Sequence, residues 1–288
     1  MPACCAPVRR ARRAGGARGR RRCRPASRGG ARQDRRVFRK SRPDAPPGFF
    51  RCEAAGLRWL READAVPVVG VLDVADDHLD LERLTSVAPP REAAVALGRG
   101  LARLHGSSAP AFGSPPPGWE RDGWFGPLDD PLPMPAGAHD RWGEFLAVRR
   151  LRPLADLLDG AGVAPSLVGR LRRVADRAES GAWDDDEPPA RLHGDLWAGN
   201  VMWTPAGATL IDPAAHGGHR ETDLAMLALF GLPHLDEVVA AYDDELPLRR
   251  GWRRRVGLHQ LYPVGVHVVL FGGHYGAQLD RLLAGLDG

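Results

Sequence analysis

The chain has 288 residues, and its formal net charge of +4 conceals an uneven distribution of charge along the sequence. Residues 1–42 carry a net charge of +15, whereas residues 43–288 carry −11. A domain that wraps nucleic acid with a uniformly basic surface is therefore excluded for the acidic body of the chain. The longest apolar run, at residues 264–271, is far shorter than the ~18 residues of a membrane span, so we expect no membrane contact. The acidic body has one cysteine, Cys52, and therefore no disulfide framework, so we expect a cytoplasmic protein.

Residues 1–36 form a basic segment of low complexity, rich in Arg, Ala, Gly and Pro. Such a segment buries too little apolar surface to offset the loss of chain entropy, and its composition is typical of disorder. Translation from a wrong start or frame of a GC-rich gene would give the same mixture of residues. We therefore expect these residues to be disordered or mis-translated. We do not expect a nucleic-acid partner, for which only this segment has the charge.

Lysine is almost absent from the chain. Of the 40 basic residues, 39 are arginine and one, Lys40, is lysine. Arginine cannot replace the compact ammonium group of lysine at every site. A single lysine that persists in so biased a composition predicts a functional role for Lys40.

The first ordered part is predicted at residues 37–85. Residues 37–40 are typical of a short strand, and residues 49–63 carry apolar side chains at the spacing of a helix. The runs at 66–74 and 79–84 are typical of strands. These patterns indicate a small lobe that contains a sheet and one helix.

The rest of the chain, residues 86–288, is predicted to form a larger and mainly helical lobe. A Pro- and Gly-rich stretch at 106–140 is expected to be irregular. We expect the last helical region to break at Pro263 and at the Gly272-Gly273 pair. The helices are predicted at 91–105, 140–158, 164–180, 224–230, 234–244 and 250–285. Together with the small lobe, they predict an α+β fold.

The strongest motif is the run of residues 193–200, His-Gly-Asp-Leu-Trp-Ala-Gly-Asn. In a turn, Asp195 and Asn200 can face the same ion and hydroxyl group. A hairpin that turns at 205–207 would bring Asp212 beside Asn200. Carboxylate and amide oxygens are the ligands that Mg²⁺ prefers. This arrangement is typical of phosphoryl transfer, in which an Asp accepts a proton while an Asn and a second Asp hold the metal.

Lys40 fits the same chemistry. In kinases a strand lysine contacts the nucleotide phosphates and pairs with a glutamate on the following helix. Glu53 lies on the predicted helix, thirteen residues after Lys40. Glu62 lies later on the same helix and fits this role less well.

These motifs make the sequence similar to the fructosamine kinase, or ketosamine-3-kinase, family. That family is a branch of the aminoglycoside-phosphotransferase-like fold, which is two-lobed and related to protein kinases. The similarity covers residues 37–280. The residues that carry it are Val37, Phe38 and Lys40, Glu53, the run 193–200, the Ile-Asp-Pro-Ala-Ala of 211–215 and the stretch 216–226.

The resemblance implies an enzyme that uses ATP and Mg²⁺ to phosphorylate the sugar 3-hydroxyl of ketosamines, the sugar adducts of amines and protein lysines. The phosphorylated adduct is unstable and falls off, which removes the sugar from the amine. By position, Asp195 is the catalytic base, Asn200 and Asp212 hold Mg²⁺, and Lys40 with Glu53 positions the phosphates.

The resemblance implies further contacts in both lobes. Glu82 lies where family members offer backbone groups to adenine. Trp197 and His193 are candidates for contact with the substrate, Trp197 by stacking. Asp223 is expected to be structural, since either Thr222 or Asp223 can cap the helix that follows.

Three alternatives stay open at this point. The chain could be a related kinase of aminoglycosides or other amino-sugar alcohols. It could be an inactive nucleotide-binding pseudokinase, because the Gly-rich hairpin that the family places over the phosphates is not recognisable before Lys40. It could bind nucleic acid through its arginine-rich segment. The sequence does not distinguish fructose from ribose adducts, small amines from proteins, or a monomer from an oligomer.

Overall fold

A computed structural model of the chain describes residues 36–286. The predictions made for residues 1–35 lie outside this part of the chain. The described residues form a small antiparallel sheet with one helix packed on it, followed by a mainly helical region. The predicted α+β fold is confirmed.

The small sheet has the strand order β1-β3-β2, with both pairs antiparallel. In β3 the side chains of Leu79 and Leu81 are buried against the helix α1, whose own apolar stripe is buried as predicted. Lys40 stands opposite Leu79 in the ladder. The elements are β1 (Val37–Ser41), α1 (Phe49–Glu62), β2 (Val71–Val74) and β3 (His78–Glu82).

The predicted strand at 66–74 joins the sheet only over its last four residues. The first part is extended, but it pairs elsewhere: Val69 N–H donates to Leu210 O at 3.0 Å, and Leu210 N–H donates to Pro67 O at 2.9 Å. Periodicity identified an extended segment but could not identify its partner. The pairing ties the small lobe to the hairpin of the candidate site.

The helical region is assembled around close contacts between helices. Gly98 of α2 lies so near α7 that a Cβ atom there would stand 2.2 Å from Val238 O. A π-helical turn, Ala147–Leu151, joins α3 to α4. The helices are α2 (Arg91–Gly106), α3 (Trp142–Leu146), α4 (Arg152–Gly160), α5 (Pro165–Glu179), α6 (Glu221–Phe230), α7 (Leu235–Glu245), α8 (Trp252–Phe271) and α9 (His274–Ala284).

Two expectations for this region were wrong. Helix α8 runs through Pro263 without a break. A proline inside a helix costs about 3 kcal/mol, but Leu261 and Val264 beside it are fully buried, and each such side chain contributes about 1.5–3 kcal/mol. The stretch 106–140 also contains a hairpin, formed by β4 (Gly123–Phe125) and β5 (Leu132–Met134). The predicted break at Gly272-Gly273 is confirmed.

Two short ladders frame the motif-rich segment. Strand β6 (Ala190–Leu192) pairs with β9 (His216–Gly218), and β7 (Val201–Thr204) pairs with β8 (Gly207–Leu210). The predicted hairpin between Asn200 and Asp212 is therefore present. Within residues 36–286, no helix is both long enough and apolar enough to cross a bilayer.

Candidate active site

The loop at 193–200, here called the catalytic loop after the role that the resemblance implies for Asp195, leaves β6 through a sharp turn at Gly194. Its φ of +82° belongs to the left-handed region that glycine favours. A Cβ atom at this position would stand 2.1 Å from Ala214 O. Only glycine lets the catalytic loop approach the segment that carries Asp212 so closely.

Asn200 holds the two aspartates of the motif together. Its Nδ2 donates to Asp195 O at 2.8 Å, to Asp195 Oδ2 at 3.0 Å and to Asp212 O at 3.3 Å. Burial raises the pKa of Asp195 to about 7; the hydrogen bond from Asn200 opposes this shift, and the nearby charges of Asp212 and Asp223 add to it. A carboxylate with such a pKa is suited to accept a proton near neutral pH.

Lys40 reaches the same point from the small lobe. Its Nζ lies 2.8 and 2.9 Å from the two carboxylate oxygens of Glu53 and 3.2 Å from Asp212 Oδ1. Burial opposes the charge on Lys40, but the two carboxylates outweigh it, so that its pKa lies above the ordinary value. The sequence paired Lys40 with Glu53, and the structure places them in contact.

Asp223 holds the start of the catalytic loop in place, a role that the sequence did not reveal. The expected helix cap is not formed. Instead, the buried carboxylate accepts the backbone N–H of His193 at 2.8 Å, that of Gly194 at 2.9 Å, and a hydrogen bond from His105 Nε2 at 3.1 Å. The other ring nitrogen of His105 bonds the hydroxyl of Tyr242 at 2.9 Å. Asp223 thereby fixes the start of the loop to α2 and α6.

These contacts also set the charge of Asp223. Burial alone would raise its pKa, but the hydrogen bond and the charge of His105 lower it below the ordinary value. Asp223 is therefore an anion at neutral pH, which suits an acceptor of two backbone N–H groups.

The two predicted substrate residues differ in exposure. His193 is fully buried; its Nε2–H donates to Ile211 O at 2.9 Å and its Nδ1 accepts the N–H of Asp195 at 3.3 Å. Neither nitrogen is free for a substrate, so the structure favours a positioning role for His193. Trp197, in contrast, is 38% exposed and stands edge-on to Phe230.

Glu82 ends β3, where the chain leaves the sheet. Its backbone N–H already donates to Gly70 O at 2.9 Å. The predicted contact of this residue with adenine could therefore not use its N–H as the donor.

A cavity of about 40 Å³ lies beside the catalytic loop. Gly194, Trp142 and Phe145 line it, and the two aromatic residues are buried. Arg150 also lines it; its guanidinium donates to Pro135 O and lies 5.4 Å from the ring centre of Tyr262. Burial lowers the pKa of Arg150 to about 10. The cavity brings a buried cation and a phenol close to the loop.

The donor set near Asp212 suits a hard divalent cation. Among the described residues, the amide oxygen of Asn200 accepts no hydrogen bond, and the side-chain hydrogen bonds of this residue all run through Nδ2. The side chain of Asp212 is 42% exposed, and one of its oxygens faces Lys40. One amide oxygen and one accessible carboxylate match the small number of protein ligands that Mg²⁺ takes beside phosphates and water.

The fold and the cluster of Lys40, Glu53, Asp195, Asn200 and Asp212 define a phosphotransferase of the two-lobed kinase class. In fold alone, the chain is similar to choline kinase LicA from Streptococcus pneumoniae, with a TM-score of 0.57 and 14% identity over 88% of this chain and 86% of that one. A family model for fructosamine kinase matches residues 25–286, and the chain belongs to this family. It is thus a kinase with a hydroxyl group as acceptor.

Two relatives agree with this assignment. The "Probable ketoamine kinase HMPREF0351_12196" of Enterococcus faecium is 31% identical over 253 residues, which are 87% of each chain. The crystal structure of a candidate fructosamine-3-kinase from Thermobifida fusca superimposes with a TM-score of 0.79 and 45% identity, and covers 86% of this chain and 84% of that chain.

Proposed function

We propose that this kinase transfers the γ-phosphoryl group of ATP to the 3-hydroxyl of ketosamines and so starts the removal of sugars from amines or protein lysines. The observation that carries the proposal is the convergence of Lys40, Asp195, Asn200 and Asp212 from both lobes on one point. Membership of the fructosamine kinase family supports the class of acceptor.

In this mechanism Asp195 accepts the proton of the attacking hydroxyl. The hydroxyl oxygen forms a bond to the γ-phosphorus, while the bond from that phosphorus to the bridging oxygen breaks and its electron pair leaves with ADP. A pKa of about 7 leaves Asp195 partly ionised at neutral pH and makes it a base of suitable strength.

Lys40 contributes fixed positive charge to the phosphates of ATP. Glu53 holds the ammonium group with both oxygens, which keeps the lysine extended toward Asp212. Asn200 and Asp212 are the residues that would hold Mg²⁺, which when bound neutralises charge on the phosphate oxygens.

The product of the proposed reaction is a 3-phosphorylated ketosamine. This adduct is unstable and releases the amine, so that the kinase would act as a deglycation enzyme. The location of this reaction in the cytoplasm stays a prediction.

The function is tested by measuring ADP formation with fructosyl-lysine and ribosyl-lysine. Substrate-dependent ADP from the wild type, and none from Asp195→Asn, is the expected result. ADP formation with an aminoglycoside but with neither ketosamine would favour the related small-molecule kinase. Binding of ATP without ADP formation from any acceptor would favour the pseudokinase.

A further inference from the structure

Two histidines and a glutamate meet where the start of α6 approaches α8, apart from the proposed catalytic residues. Glu221 is the first residue of α6, His219 precedes it by two positions, and His259 belongs to α8. Each of the three can offer one ligand atom to a metal ion, and these atoms lie within 4.8 Å of one another. All three residues are buried. We call them the His-Glu-His cluster.

His259 points an unpaired nitrogen into the cluster. Its side chain is fully buried, and within residues 36–286 its Nε2 makes no hydrogen bond. Glu221 Oε2 lies 3.4 Å from this nitrogen without the alignment of a hydrogen bond. Two ligands at about 2.0–2.1 Å from a tetrahedral zinc ion stand about 3.4 Å apart. A buried polar atom that lacks a protein partner indicates a missing ion or water, and this spacing suits an ion.

The other ring nitrogens of the two histidines are held as metal-binding histidines require. Nδ1 of His259 hydrogen-bonds Thr222 Oγ1 at 2.9 Å, and Nε2 of His219 lies 3.4 Å from Asp185 Oδ2. Histidines that bind metals give their second N–H to an oxygen acceptor of this kind. Nδ1 of His219 accepts a hydrogen bond of 3.2 Å from the N–H of Glu221. This is the long end of the range, so a metal ion that took this lone pair would displace little.

The charges in the cluster also suit a metal ion. Burial lowers the pKa of His259 to about 4, so the ring is neutral at neutral pH and keeps a lone pair. Burial would raise the pKa of Glu221, but the contacts with His259 and Arg255 lower it to about 2, and the group is an anion. Arg255 donates to both carboxylate oxygens of Glu221. Each oxygen has a second lone pair that a metal ion can use.

An acidic pocket at the surface leads toward the cluster. Its volume is about 340 Å³, and its lining includes Trp142 and the acidic run of residues 184–187. The ring of Trp142 packs on both imidazoles, with ring centres 4.9 Å from His219 and 4.6 Å from His259. Carboxylates that line a cleft raise the local concentration of cations. The pocket therefore offers a metal ion a route to the cluster.

We propose that the His-Glu-His cluster binds one zinc ion, with Asp185 and Thr222 orienting the two imidazoles. Two histidines and a glutamate, with a water as fourth ligand, are a donor set typical of Zn²⁺, whereas Mg²⁺ prefers oxygen ligands. The cavity of about 40 Å³ beside the catalytic loop, which His259 also lines, has room for that water. The ion would tie α6 to α8 and so steady Asp223, two residues after Glu221.

The test is zinc binding by the full chain without a purification tag, its thiols alkylated because cysteine also binds zinc. After a chelator has removed metal, calorimetric titration with zinc chloride should show one site. Zinc at about 100 times its Kd should raise Tm by about 5 °C or more. His259→Gln should weaken zinc binding about 100-fold. His267→Gln, on the same helix with its Nδ1 bonded to Pro263 O, is the matched control and should bind zinc as the wild type does.

A cobalt spectrum gives a readout that does not depend on the variants. Co²⁺ in the wild type should show the intense visible absorption of a tetrahedral site. A weak, octahedral spectrum would overturn the proposal even if His259→Gln fails to fold. Absence of zinc binding by the wild type, or unchanged affinity in His259→Gln, would also overturn it.

The proposed magnesium ligands are a separate source of metal binding. Asp212→Asn should retain full zinc affinity, because Asp212 is not part of the His-Glu-His cluster. Loss of zinc binding in this variant would overturn the proposal and assign the ion to the candidate active site. These measurements do not involve a ketosamine or ATP, so their outcome is independent of the proposed function.

Discussion

The ammonium group of Lys40 lies 3.2 Å from Asp212 Oδ1, although the two residues belong to different lobes. Glu53 holds the same ammonium group from the other side. Lys40 is thereby shared between a carboxylate of the small lobe and the carboxylate expected to hold the metal. In the proposed mechanism this lysine links nucleotide binding to metal binding, a role that the larger guanidinium of arginine would not fill.

Lys40→Arg should therefore be strongly impaired. The planar guanidinium cannot meet Glu53 and Asp212 from one point as the ammonium does. We expect kcat/KM for ATP to fall about 100-fold, the scale of losing one charge-stabilising donor. Arg51→Lys is the control, because Arg51 lies on α1 in an exposed ion pair with Asp76, and this variant should retain wild-type kinetics. Full activity of Lys40→Arg would show that the phosphates are bound elsewhere.

The activity should depend on pH through Asp195. In the proposed mechanism its carboxylate is the active form, and its pKa is raised to about 7. We therefore expect kcat/KM for the ketosamine to rise with pH and to reach half its limit near pH 7. The measurement is a profile from about pH 5.5 to about pH 8 at saturating Mg-ATP. A midpoint near pH 4, the ordinary range of aspartate, would contradict the environment described for this residue.

Asp223→Asn should destabilise the protein as well as the catalytic loop. Asparagine would turn its NH₂ group toward one of the buried N–H groups whose hydrogen bonds the carboxylate of Asp223 now accepts. We expect the free energy of unfolding to fall by about 2–4 kcal/mol. Asp236→Asn, at an exposed position of α7, is the matched control.

The pH dependence of this loss has a definite sign. The pKa of Asp223 is lower in the folded protein, so its stabilising contribution is complete above the pKa of the unfolded chain and is lost as the pH falls through the folded pKa. Denaturant titrations should show the difference between wild type and Asp223→Asn shrinking on acidification. If this difference in the free energy of unfolding did not change with pH, the negative charge of Asp223 would not be the source of its stabilising effect.

Gly194→Ala should disrupt the catalytic loop. A Cβ atom at Gly194 would collide with Ala214 O and would hold a left-handed φ. We expect a loss of about 3 kcal/mol or more in stability, together with loss of kcat. Gly160→Ala provides the comparison, because open space surrounds Gly160 at the end of α4. If both variants behave alike in thermal unfolding and turnover, the close approach of the loop to Ala214 is not required.

Features that depend on neighbouring residues in sequence were predicted well. The strand with Lys40, the apolar stripe of α1 and the hairpin between Asn200 and Asp212 follow from local periodicity and turn residues. The Lys40–Glu53 pair required the resemblance to kinases in addition, because spacing alone left Glu62 as an alternative.

Features that depend on distant partners were missed. Asp223 reads locally as a helix cap, and its partners lie 29 to 118 positions away. The segment 66–70 pairs with β8 rather than with the small sheet. Helix α8 continues through Pro263 because the residues beside this proline are buried. In each case tertiary contacts outweigh a local preference, and one sequence does not show those contacts.

In the proposed reaction, Asp195 directs phosphoryl transfer to the 3-hydroxyl of a ketosamine. The most direct measurement is ³¹P and ¹H NMR of the products formed from ATP and fructosyl-lysine. The wild type should form a phosphate monoester coupled to the proton on carbon 3, and Asp195→Asn should not. A phosphate on another hydroxyl, or an undiminished yield from Asp195→Asn, would contradict this role of Asp195.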